Sequence, residues 1–230
     1  MIVGKGLLAH AFEATFGNDE DVVVFASGVS NSLETAPAAF ARERAMLSRY
    51  LNAAPRRLVY FGSCGVIASN EGRTPYMEHK KAMEALVLKS PGGLVLRLPQ
   101  VVGSTNNAHT LTNFLRDRIL AGEHFTVWQY AERNLIDIDD VARIGSMLAA
   151  ELPVHRSNTV NIAAEKSASV PAIVGMFERI LAKKAEYHSI ARGDPLPIDA
   201  AIAVQMGARL GIDLGTGYIE AVIRKYYAAH

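Results

Sequence analysis

Tyr76-Met77-Glu78-His79-Lys80 sets a phenol and an ammonium four residues apart, one helical turn along the same face. Ser63 lies thirteen residues earlier. A phenol, with an ordinary pKa of about 10, can exchange a proton with an alcohol or ketone when a cation favours its phenolate and a hydroxyl shares the reacting oxygen. The spacing alone also occurs on exposed helices without chemistry, so its meaning depends on the elements around it.

Those elements alternate. Strand-length apolar runs at Met1 to Val3, Val22 to Ala26, Arg57 to Phe61 and Leu94 to Leu98 are each followed by a segment of helical period. These segments are Leu7 to Phe16, Ala38 to Ala54, Tyr76 to Lys89 and Leu111 to Ala121. Alternation of this kind predicts an α/β fold, a Rossmann-like parallel sheet with helices on both faces. After Phe125 the pieces shorten: Phe125 to Trp128, Leu135 to Ile138, a helix over Asp140 to Leu152, a strand around Thr159 to Ile162 and a helix over Ser169 to Lys184. Asp139 or Asp140 is expected to cap the first of these helices, and Ser169 with Pro171 to start the second. The expected division is a dinucleotide-binding core over residues 1–124 and a small C-terminal lobe over 125–230, packed as one unit.

The turn after the first strand reads Gly4-Lys5-Gly6-Leu7-Leu8-Ala9. A Gly-x-Gly-x-x-Ala run between strand and helix suits a dinucleotide diphosphate: the first glycine permits the turn, and the second lets backbone approach the phosphates. The helix N-terminus then offers unpaired N–H groups. An acid about twenty residues on normally holds the adenosine ribose. Here the second strand ends in Ala26-Ser27-Gly28, and Asp19, Glu20 and Asp21 precede it. Either Lys5 or Ser27 meets a 2′-phosphate instead, or binding is weakened.

Composition narrows the field. With 24 basic against 23 acidic residues, the chain lacks the basic surface that nucleic-acid binding requires. No run approaches the length of a membrane span, and the single cysteine, Cys64, excludes an intramolecular disulfide. The expectation is a cytoplasmic protein with no membrane or nucleic-acid partner. No His, Cys, Asp or Glu cluster has metal-ligand spacing, and Glu78-His79 lacks the second histidine of a helical zinc motif.

Several motifs in one order resemble the extended short-chain dehydrogenase/reductases of the NAD-dependent epimerase/dehydratase family, over residues 2 to about 227. They are the glycine turn, Val22-Val23-Val24-Phe25-Ala26, Leu58-Val59-Tyr60-Phe61-Gly62-Ser63, Thr74-Pro75-Tyr76-x-x-x-Lys80-x-x-x-Glu84 and Leu96-Arg97-Leu98-Pro99-Gln100-Val101-Val102-Gly103. Arg133-Asn134-Leu135-Ile136-Asp137-Ile138-Asp139-Asp140-Val141-Ala142 is similar to a family run with Asp in place of Asn134, and Arg192-Gly193-Asp194-Pro195 resembles a late family loop.

The resemblance implies a reductase or epimerase using NADP or NAD on a nucleotide-activated sugar. In it Tyr76 is the acid/base, Lys80 holds the nicotinamide ribose and lowers the tyrosine pKa, and Ser63 bonds the reacting oxygen. Gly4, Lys5, Gly6, Leu7, Leu8, Ala26, Ser27, Tyr76, Lys80, Pro99 and Val101 would border the cofactor. Arg133 and Arg192 would grip the substrate diphosphate as planar charged forks, with Gln100 and His109 toward the sugar. Cys64 and His109 are similar to a thiol and an acid of the GDP-fucose synthase branch; the plainer reading is that His109 only starts a helix. No Asp-Glu pair follows Ser63, so dehydration fits least of the family chemistries.

The departures are informative. About thirty residues that would form the family's second and third strands are absent between Phe16 and Asp21, which leaves an expected five-stranded sheet with the first strand at one edge. The segment from Ser63 to Tyr76 is about half the usual length. These losses keep open a second reading, a non-catalytic nucleotide-binding or regulatory protein. Family members also imply a homodimer through the helices Ala38 to Ala54 and Met77 to Lys89.

Overall fold

The computed structural model describes residues 1–67, 74–195 and 197–228. In chain order the first elements are β1 (Ile2–Val3), α1 (Leu7–Phe16), β2 (Val22–Phe25), α2 (Pro37–Asn52), β3 (Arg57–Ser63), α3 (Pro75–Val87) and β4 (Gly93–Leu98). Then come β5 (Gln100–Val102), α4 (Leu111–Ala121), β6 (Phe125–Trp128), β7 (Glu132–Arg133), β8 (Leu135–Asp137), α5 (Ile138–Glu151) and β9 (Asn158–Asn161). The last are β10 (Ala168–Ser169), α6 (Val170–Leu181), β11 (Tyr187–Ile190), α7 (Ala201–Arg209) and α8 (Tyr218–Tyr227). They form two compact units, Met1–Leu98 with Ile138–Ile162, and Pro99–Asp137 with Ala163–His230. Where the sequence suggested one cut after residue 124, the units interleave, because α5 and β9 return to the first.

The first unit holds a five-stranded parallel sheet in the order β1-β2-β3-β4-β9. β3 lies at its centre, paired over four residues with β2 and six with β4. Leu58 to Phe61 are all buried, as expected of a strand covered on both faces. Side chains alternate between the faces. Leu58 and Tyr60 join Val3, Val23, Phe25, Leu47, Met83, Val87 and Val95 in a core beneath α2 and α3. Phe61 turns the other way, its ring 5.2 Å from Phe12 of α1. A Cβ on Gly145 of α5 would stand 2.8 Å from the Phe12 ring and 3.1 Å from Leu96, so a glycine there brings α1, α5 and the sheet together.

The second unit is built from two-stranded ribbons and helices. β5 pairs with β8 and β6 with β11, both parallel, while β7 pairs antiparallel with β10. Phe177 of α6 meets Tyr227 of α8 at 5.1 Å, and the Tyr227 hydroxyl donates to Asn113 of α4 at 2.7 Å. α6 begins as expected, with Ser169 accepting from the Ala172 N–H and proline in its first turn. α5 does not: it starts at Ile138, directly after β8, which leaves Asp139 and Asp140 inside the first turn rather than at the cap. Both acids still complement the helix dipole there. Among the described residues no helix is long and apolar enough to cross a membrane.

Candidate active site

In the first unit the strand ends of β1 and β2 meet at the glycine turn. Gly4 has φ +133°, and a Cβ on it would fall 2.5 Å from the Ala26 carbonyl oxygen, so only glycine permits this approach. Gly6 caps α1 without a side-chain bond, and nothing lies within 4 Å of where its Cβ would point. α1 has no acid in its first turn. Its leading N–H groups lie behind exposed Lys5 and half-buried Leu7 and Leu8, and Gly6 supplies them no side-chain cap. Ala26 and Ser27 follow β2, half-buried, and none of Ala26, Ser27, Gly28, Val29 and Ser30 is acidic. β1 is the edge of the sheet, so its outer side has no partner strand among the described residues.

α3 presents the expected face. Thr74 caps it by accepting from the Met77 N–H at 3.3 Å, and Tyr76, His79, Lys80, Met83, Glu84 and Val87 are buried, a helical stripe at spacings of three and four. Tyr76 lies beside Ser63, the last residue of β3. Burial pushes the Tyr76 phenol up to about 12; the Ser63 hydroxyl works against the rise, and the Glu43 and Glu84 carboxylates add to it. Ser63 also accepts from the Gly65 N–H at 3.1 Å, which orients its oxygen. Residues 68–73 of the shortened segment before Tyr76 lie outside the described residues.

Lys80 is engaged inside the fold. Its ammonium, 6.0 Å from the centre of the Tyr76 ring, donates to Tyr60 Oη at 3.0 Å, Glu43 Oε1 at 3.3 Å and the Phe61 carbonyl at 3.3 Å. An ammonium has three protons, and these bonds use all of them. Burial pulls the Lys80 pKa down, opposed by the adjoining Glu43 carboxylate. One turn on, Glu84 binds Arg97 of β4 through Oε2, at 2.7 Å to Nη2 and 3.0 Å to Nε. A Cβ on Gly62 would overlap Glu84 Oε1 at 2.2 Å, so glycine before Ser63 lets α3 lie close to β3. Cys64, fully buried, has its thiol pushed by burial up to about 12, which opposes any thiolate role near neutral pH.

The remaining candidates belong to the second unit. Gln100 is exposed on β5, where its N–H donates to the Asn134 carbonyl at 3.1 Å, between half-buried Pro99 and Val101. His109 is exposed immediately before Thr110, which caps α4. Arg133 is half-buried on β7, its pKa pulled down by burial, and its Nη1 donates to the Glu132 carbonyl at 2.7 Å. Arg192 is exposed and stacks on the Trp128 ring at 4.5 Å. The Tyr130 N–H donates to the Arg192 carbonyl at 3.0 Å, and Gly193, at φ +97°, crosses so close that a Cβ would meet Ala131 at 2.6 Å. The segment from Trp128 to Arg133 thus carries or contacts both arginines. Asn134 explains its departure from the family's Asp: its amide donates to the Ala164 carbonyl at 2.9 Å and its oxygen accepts from the Ala164 N–H at 3.0 Å. A carboxylate could do only the second.

Sequence reasoning missed Glu43 and Tyr60, whose side chains hold Lys80 together with the Phe61 carbonyl. The available signal was Glu43 one turn before Leu47 on the apolar stripe of α2. Among the described residues no group of three or more His, Cys, Asp or Glu could hold a metal.

None of the curated proteins is similar in sequence. In fold the chain is similar to the UDP-glucuronic acid 4-epimerase of Bacillus cereus, crystallised with UDP-glucuronic acid and NAD, at TM-score 0.71 and 19% identity over 97% of this chain and 79% of that one. It is similar to the UDP-glucose 4-epimerase of Thermus thermophilus in complex with NAD, at 0.68 and 17% over 94% and 79%. It is also similar to the dTDP-glucose 4,6-dehydratase of Bacillus anthracis in complex with NAD, at 0.69 and 15% over 95% and 74%. A sequence model of one family matches residues 9–163, from α1 through the sheet to just past the end of β9. The chain belongs to the NAD dependent epimerase/dehydratase family.

Proposed function

We propose that the protein is an NAD(P)-dependent reductase or epimerase of a nucleotide-activated sugar, with Tyr76 as its acid/base. The observation that carries this reading is the presence, within one compact unit, of an uncapped glycine turn and of Tyr76 beside Ser63 on the buried face of α3. A bound nicotinamide supplies or accepts the hydride at the sugar carbon. Tyr76, held as a neutral phenol by burial, is suited to give its proton to a carbonyl oxygen, and the Ser63 hydroxyl to bond that oxygen. In the opposite direction the phenolate takes the alcohol proton, and the Lys80 charge favours that state.

The residues present fit the diphosphate end of such a cofactor: Gly4, Lys5, Gly6, Leu7 and Leu8 would hold it against the first turn of α1. At the adenosine end, Ala26 and Ser27 offer no carboxylate to bind a ribose or to repel a 2′-phosphate, so NAD and NADP are both admitted. Arg133 and Arg192, brought to one segment, would take the substrate diphosphate, with Gln100 and His109 toward the sugar; the nucleotide sugar is proposed by analogy with the ligand of the Bacillus cereus epimerase.

The test is calorimetric titration with NADH and NADPH, followed by turnover on UDP-, GDP-, CDP- and dTDP-linked keto-sugars. Tyr76→Phe is expected to abolish turnover while cofactor affinity stays within about threefold of wild type. Absence of nicotinamide binding would overturn the reading. The engagement of all three Lys80 protons, together with the lack of an acidic residue directly after β2, favours a second reading: a nucleotide-binding or regulatory protein without chemistry. It expects binding with no turnover on any of these sugars.

A further inference from the structure

Glu43 of α2 is a fully buried carboxylate to which the proposed reaction assigns no part. Its two oxygens receive four donors. Oε2 accepts from the Val29 N–H at 2.6 Å and faces His79 Nε2 at 3.0 Å, while Oε1 accepts from the Tyr60 hydroxyl at 2.7 Å and from Lys80 Nζ at 3.3 Å. Opposite a carboxylate, which can only accept, Nε2 is the protonated nitrogen of His79, and that ring is stacked on Phe40 at 4.5 Å. Each donor comes from a different place in the chain: the loop after β2, β3, and two positions on α3. The loop also closes over the pair, since a Cβ on Gly28 would stand 2.8 Å from both Glu43 Oε1 and Lys80 Nζ.

An isolated ammonium in such a place would lose its proton, because burial penalises the charged form and Lys80 has a side chain only 5% exposed. The groups facing it are Glu43 from α2, Tyr60 from β3, and Tyr76, His79 and Glu84 from α3. Glu84 is itself paired with Arg97, which leaves Glu43 as the full opposing charge in direct contact. The carboxylate is equally dependent on its donors. Burial pushes the Glu43 carboxyl up, and Lys80, the Val29 N–H, Tyr60 and His79 together more than offset that rise.

We propose that Glu43 is the positioning residue for Lys80: paired with the ammonium and tied to Tyr60, it keeps Lys80 charged and fixed beside Tyr76. The proposal rests on the reading of Tyr76 and Lys80 as the proton-transfer pair. It assigns α2 a part in the site that no motif on that helix announces.

The experiment uses the full chain and four variants: Glu43→Gln, which keeps the shape and removes the charge, Glu43→Asp, which keeps the charge, Lys80→Met, and the double variant Glu43→Gln/Lys80→Met. Lysine side-chain NMR, with the Lys80 signal identified by its loss in Lys80→Met, follows protonation directly. Lys80 is expected to titrate at lower pH in Glu43→Gln than in wild type, and Glu43→Asp to restore most of the difference. In urea unfolding, Glu43→Gln is expected to lower the folding constant at least tenfold, and removal of Lys80 as well to recover most of that loss. Should Glu43→Gln fail to fold, a folded double variant supports the pairing. An unmoved Lys80 titration, additive unfolding effects, or a double variant that fails along with Glu43→Asp would overturn it. None of these readouts needs cofactor or turnover, so failure of the proposed reaction would appear separately, as wild-type protein that binds no NADH while Lys80 still responds to Glu43.

Discussion

Replacing Gly4 with alanine separates what the glycine turn does for the fold from what it offers a ligand. Gly4 has φ +133°, and the new methyl would lie 2.5 Å from the Ala26 carbonyl oxygen, 2.8 Å from its carbon and 3.2 Å from the Ser27 nitrogen. A residue with a Cβ held in that conformation costs about 1–3 kcal/mol. The overlap is with backbone, so it can be relieved only by parting β1 from β2, which are joined there by Val24 N–H to Met1 carbonyl at 3.0 Å and Ala26 N–H to Val3 carbonyl at 2.8 Å. Weakening one of these bonds adds roughly 1 kcal/mol. The expected loss is about 2–4 kcal/mol, or roughly 4–16 °C in Tm for a chain of this size. Gly6→Ala is the control: its methyl meets nothing within 4 Å, and the change should cost only about 1 kcal/mol as a poorer helix cap. That methyl fills the space before the first turn of α1, however, so NADH affinity should fall more than stability does. Urea unfolding followed by circular dichroism, with calorimetry for NADH, reads both quantities. Gly4→Ala within about 0.5 kcal/mol of wild type, or Gly6→Ala the more destabilising of the two, would refute the reasoning.

Other consequences can be measured in the same way. Burial pushes the Tyr76 phenol up to about 12, against about 10 for an unfolded tyrosine, so it contributes on the order of 3 kcal/mol that is fully present below pH 10 and lost as pH rises through the folded value. The stability difference between wild type and Tyr76→Phe should shrink over that interval, and a difference independent of pH would contradict the assignment. Phe12→Ala should cost about 3–5 kcal/mol, because the ring is fully buried against Phe61 and α5 cannot close the space without moving; a loss under about 1 kcal/mol would show that it can. Arg192 covers Trp128, the single tryptophan, so Arg192→Ala should change its emission and, on the proposed function, weaken UDP binding by about tenfold. Unchanged UDP affinity would remove Arg192 from the substrate site.

Much of the fold was legible because it is written in local periodicity. α1, α4 and β6 have the expected bounds, and the other helices and strands of the parallel sheet shift by only a few residues. The face shared by Tyr76 and Lys80 follows from helical spacing, and the edge position of β1 from the missing residues after Phe16. The strands β5, β7, β10 and β11 were not legible, since each is short and includes polar residues, and each is held in place by a partner distant in sequence. Nor was the extra helical pair, α7 and α8, which lies beyond the last motif that was read.

The site divides along the same line. Sequence alone determined which side chains could transfer a proton and which turn could receive a diphosphate, because those depend on residue type and on neighbours within a few positions. Only the tertiary structure decided what state those groups are in. Tyr76 is raised to about 12 by burial, Cys64 is withdrawn from solvent, and Lys80 spends its protons on Tyr60, Phe61 and a carboxylate 37 residues away. A charge is set by its surroundings in space, and in this chain α2, β3 and α3 supply those surroundings from separate stretches of sequence.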